Sequence, residues 1–82
     1  MISRDSVESA YAFFHQKWRV YEFSHSPRQR DEIEVAISDY VDQMNPELLA
    51  KLSGGDEEYL RTHATFSQQM PQAVSKLEKM LF

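Results

Sequence analysis

The sequence contains no cysteine, only two glycines, three prolines and one tryptophan. Without cysteine there is no disulfide framework, no thiolate metal ligand and no sulfur nucleophile. Small secreted domains commonly depend on such cross-links, so a reducing, cytoplasmic setting is expected. The single glycine pair, Gly54-Gly55, is not followed by the Lys-Ser/Thr of a phosphate-binding loop. No apolar run approaches the ~20 residues that span a bilayer. The start, Met1-Ile2-Ser3-Arg4-Asp5, lacks the basic stretch and apolar core of a secretion signal. No membrane contact is therefore expected. Basic residues are also in short supply: nine Lys and Arg face thirteen Asp and Glu, a net charge of −4. An acidic chain makes a poor nucleic-acid binder, because that affinity comes from a basic face displacing counterions.

What is present is apolar and aromatic. Hydrophobic residues make up 41% of the 82 positions and aromatics 12%, which fits one ordered domain over residues 1–82. So short a chain builds a thin core, and each large ring helps by bringing about 150–250 Å² of burial. The charge is unevenly spread. In residues 1–30 five basic residues oppose three acidic ones, giving +2; in residues 31–82 four oppose ten, giving −6. Such asymmetry suits self-association or a charged protein partner.

Apolar spacing predicts helices throughout. Val7, Tyr11, Phe14, Trp18 and Tyr21 alternate at intervals of four and three, placing them on one face of a helix over 5–24. Asp5 and Glu8 resemble a capping box at its start. Phe13, Val20 and Phe23 fall off this stripe, so the apolar surface is wider than one seam needs. Ser26, Pro27 and Gln29 form the start signature of a second helix, about 27–44, with Ile33, Ile37, Tyr40, Val41 and Met44 facing inward. Its other face carries Asp31, Glu32, Glu34, Asp39 and Asp42.

Asn45-Pro46 repeats the punctuation, and Leu48, Leu49 and Leu52 make a short third helix ended by Gly54-Gly55. Asp56, Glu57 and Glu58 then suit a helix N-terminus. Tyr59, His63, Phe66, Met70, Val74, Leu77 and Leu81 keep one phase to the end. Pro71 sits in the middle of that stretch, so this last segment is either one helix kinked near Met70 or two helices meeting there. Unbroken phase favours the kink. The expected fold is all-α: a small antiparallel bundle of three main helices plus one short helix.

Chemistry is sparse. The turn His25-Ser26-Pro27-Arg28-Gln29-Arg30 places His25, Arg28 and Arg30 beside a helix start, where an anion or nucleotide could be held. Arg28 with Glu32 and Arg30 with Glu34 are equally able to pair along the helix. Glu22 and His25 have the Glu-x-x-His spacing of di-iron bundles, yet a second such pair is missing. His63 lies on the apolar stripe, as either a core-edge residue bonded to a carbonyl or a buried titrating group; His15 falls on the solvated flank of the first helix. No Gly-x-Ser-x-Gly elbow or metal motif occurs. The sequence thus assigns no catalytic residue, no cofactor and no metal. The leading expectation is a non-catalytic protein-interaction or regulatory module whose partner is another protein or a second copy of the chain. Trp18, Tyr21, Arg28 and Arg30 are the candidate contact residues, because aromatic and arginine side chains dominate interface energetics. The alternative is an anion- or nucleotide-binding domain built on the 25–30 turn, and a small enzyme stands third.

Overall fold

Proline and capping side chains set where the first three helices begin. The computed structural model describes residues 2–82, with Met1 outside, and holds four helices: α1 (Arg4–Phe23), α2 (Pro27–Gln43), α3 (Pro46–Ser53) and α4 (His63–Leu81). No strand occurs among the described residues. The expected all-α bundle of three main helices and one short one is what forms.

The start of α1 differs from expectation. Ser3, not Asp5, is the cap: it has extended backbone angles, and its Oγ accepts the Ser6 N–H at 3.2 Å. Asp5 lies inside the first turn, where the positive helix end favours it. Glu8 accepts from Arg4 Nε at 3.0 Å instead of closing a capping box. At α2 the reading holds, with Pro27 in the first turn and Ser26 Oγ accepting the Gln29 N–H at 3.4 Å. Here the return half of the box is relayed. Ser24 Oγ accepts the Ser26 N–H at 3.3 Å and donates to Gln29 Oε1 at 2.7 Å. Ser24 can do this because it is buried beneath the turn.

Asn45 Oδ1 caps α3 by accepting the Glu47 N–H at 2.9 Å. Gly54 ends it at φ +63°, a left-handed conformation that costs glycine little. The next stretch corrects a second expectation. Asp56–Glu58 begin no helix; Asp56 Oδ1 takes the Glu58 N–H at 2.9 Å and closes a turn instead. The connection continues to Thr62 and is pinned to α4 at one residue, Gln69. Gln69 Oε1 accepts the Leu60 N–H at 2.7 Å, while Gln69 O accepts the Tyr59 hydroxyl at 3.3 Å. Leu60 is buried although its φ is +61°, so this contact holds a backbone conformation that leucine disfavours. Burial pushes the Tyr59 phenol up to about 12, with Asp56 adding to the shift. Arg61 pairs with Asp42 of α2, and Lys76 Nζ donates to the Leu52 carbonyl at 2.8 Å near the end of α3.

α4 runs unbroken through Pro71, which settles the choice between one helix and two. Phe66, Met70, Val74 and Leu77 are all buried, so a single register serves the whole element. α1 packs against both α2 and α4 and runs antiparallel to each. Phe13 and Phe14 meet Tyr40 with ring centroids 4.3 and 5.5 Å apart. Tyr21, near the end of α1, meets Phe66 near the start of α4 at 5.0 Å. At the opposite end, Ile2 and Val7 share a surface with Met80 and Leu81. Phe14, Ile37, Leu52, Met70 and Leu77 are sealed from solvent at the centre. No helix is long and apolar enough to cross a membrane.

Candidate functional site

The three residues between α1 and α2 turn the chain so sharply that the end of α1 and the start of α2 face the first turns of α4. A groove of about 550 Å³ opens there, lined by Tyr21, His25, Arg30, Asp31, His63 and Ser67 among others. Its floor is polar. His63 Nδ1 lies 2.8 Å from Glu34 Oε2 and 2.9 Å from Oε1, and the Tyr21 hydroxyl donates to Oε2 at 3.2 Å. Glu34 is the sheltered member, its side chain 14% exposed, whereas that of His63 is 77% exposed. Asp31 precedes Glu34 by one helical turn. Donor atoms of Asp31, Glu34 and His63 all lie within 4.8 Å of one another.

Electrostatics follow from this arrangement. The hydrogen bond to Glu34, and then the Glu34 charge, raise the His63 pKa above its ordinary value, against a smaller opposing effect of desolvation. Burial raises the Tyr21 phenol, and the Glu34 charge and hydrogen bond add to it. Tyr21 therefore keeps its proton and remains a donor to Glu34 across the neutral range.

The turn residues divide. His25 and Arg30 line the groove, but Arg30 is engaged: its Nε donates to the Ser24 carbonyl at 3.0 Å and its guanidinium lies 4.9 Å over the Tyr21 ring. Arg28 is exposed and turned along the helix toward Glu32, 3.6 Å away. The turn thus does not bring His25, Arg28 and Arg30 together around one point. Trp18 and Tyr21 stack at 5.9 Å; Tyr21 is 4% exposed and Trp18 is partly buried against the core. The face expected to meet a partner is in large part covered by the chain itself. The exposed apolar residues of α1 are the off-stripe pair, Phe23 at 71% and Val20 at 43%.

His63 is neither core-edge nor bonded to a carbonyl. It is exposed, at the first residue of α4, and bonded to a carboxylate. His15 stacks on Tyr11 at 5.4 Å, and Glu22 and His25 are exposed residues outside the Asp31–Glu34–His63 group. The sequence placed Asp31 and Glu34 on the charged face of α2 and offered Glu34 to Arg30, which bonds the Ser24 carbonyl instead. Their spacing of three was the available signal, since it places two carboxylates side by side on a helix. Their partner, 29 residues beyond Glu34, was not. Comparison of the chain with protein-family models, curated proteins and solved structures gives no match.

Proposed function

We propose that the chain is a non-catalytic binding module that contacts another protein through the end of the bundle where the α1–α2 turn meets the start of α4. One observation carries this reading: Phe23, the most exposed aromatic of α1, stands at 71% exposure immediately before Ser24 and His25, which line the groove. An anchor ring beside a polar concavity is the composition that interface hot spots favour. The reading moves the contact away from Tyr21, whose ring is already used in the core, and keeps Arg28, which is free of the groove and exposed. A second copy of the chain is one candidate partner, since the acidic outer face of α2 would complement the basic first thirty residues.

The experiment compares the immobilised full chain with a Phe23→Ser, His25→Ala double variant, alongside light scattering of both across concentration. A partner protein, or a dimer, present with the wild type and lost with the variant is expected. A strict monomer whose bound proteins are unchanged by the substitutions overturns the reading. Anion or nucleotide binding at the 25–30 turn draws support from His25 and Arg30 in the groove. Asp31 on the same groove and Glu34 close by weigh against it, as does the commitment of Arg30 to the Ser24 carbonyl. A rise in melting temperature with phosphate, abolished by Arg30→Ala, would favour it over protein contact.

A further inference from the structure

We propose that Asp31, Glu34 and His63 form a site for a divalent transition-metal ion of the zinc class. Two helices supply the donors: the carboxylates stand one turn apart on α2 and the imidazole opens α4. Their donor atoms already lie within 4.8 Å of one another. In a tetrahedral zinc site each donor is about 2.0–2.2 Å from the ion, so neighbouring donors stand about 3.4 Å apart. His63 and Glu34 are now closer, at 2.8–2.9 Å, as expected for atoms sharing a proton. An ion replacing that proton needs them to part by about half an ångström. Exposed His63 and Asp31 can supply that movement by side-chain rotation alone.

Glu34 is the fixed member. The Tyr21 ring is 4% exposed and its hydroxyl donates to Glu34, so a buried side chain orients the carboxylate before any ion arrives. The groove lies on the open side of the cluster, leaving room for a water molecule as a further ligand. Two carboxylates outweigh the positive end of α4, roughly half a charge, while Arg30 is held by the Ser24 carbonyl and the Tyr21 ring. One imidazole with two carboxylates and no thiolate selects zinc, manganese or iron(II) over soft copper(I). The site shares the groove with the proposed protein contact but not Phe23 or His25, the residues whose substitution tests that contact, so the two tests can fail separately.

The test is titration of the chelator-treated full chain with zinc chloride alone, by calorimetry and by NMR of the imidazole resonances. One zinc per chain is expected, shifting His63 while leaving His15 in place. Binding should be lost in His63→Gln and weakened at least tenfold in Asp31→Asn, an exposed position that does not endanger the fold, and kept in His15→Gln. Absence of saturable binding, equal binding by His63→Gln, or shifts spread over His15 and His25 would each overturn the proposal.

Discussion

Glu34 accepts from a phenol within the core and from an imidazole outside it, so one carboxylate joins three helices. The consequence is a pH dependence with a definite sign. His63 titrates above its ordinary value of about 6.5 in the folded chain, owing first to its hydrogen bond with Glu34. A group raised on folding contributes stability that is complete below its unfolded pKa and is lost as pH climbs through its folded pKa. The urea midpoint of the wild type should therefore exceed that of His63→Ala most below about pH 6.5, the difference shrinking as pH rises through the raised folded pKa. In chelator-treated protein the His63 titration followed by NMR should move back toward about 6.5 in Glu34→Gln. A stability difference that grows with pH would contradict the assigned pairing.

Among the elements, α4 carries the clearest conflict between local preference and fold. Pro71 deprives the Ser67 carbonyl of its helical partner and crowds it with the ring, at a typical cost of about 3 kcal/mol. The helix continues because Phe66, Met70, Val74 and Leu77 bury one continuous stripe on both sides of the proline. Pro71 itself is only partly buried, so Pro71→Ala should restore the backbone bond with little loss of packing. The expected result is a stabilisation of up to about 3 kcal/mol, read as a higher urea midpoint with undiminished helical circular dichroism. A lower midpoint would mean that a proline-induced bend is what seats α4 against α1. This element also marks the limit of local reading. Ser26-Pro27 and Asn45-Pro46 were legible because a cap acts over three residues. Residues 56–62 were not, because Leu60 and Tyr59 depend on Gln69, nine and ten residues away.

For the molecule as a whole, the stripe of Tyr11, Phe14, Trp18 and Tyr21 announced an aromatic helix with more apolar surface than one seam requires. Which rings it hides is decided by neighbours the stripe cannot name. α4 covers Tyr21 through Phe66, and α2 covers Phe13 through Tyr40, leaving Phe23 outside at the end of the helix. The groove was equally beyond periodicity, since its carboxylates and imidazole meet only when α4 returns beside α2. Two substitutions on α1 separate the covered surface from the surplus. Phe14 is wholly buried, and Phe14→Ala should cost about 3–5 kcal/mol. A domain of this length holds roughly 4–12 kcal/mol in all, so that variant should lose a large share of its stability and unfold at a much lower urea concentration. Phe23→Ser should change stability by no more than about 0.5 kcal/mol. Urea unfolding followed by both Trp18 fluorescence and helical circular dichroism measures the two, with coincident transitions expected if the helices unfold together. Should Phe23→Ser prove as damaging as a core truncation, Phe23 would belong to the fold and the proposed contact would lose its anchor; should it prove neutral, any binding it abolishes is lost at the surface and not through unfolding.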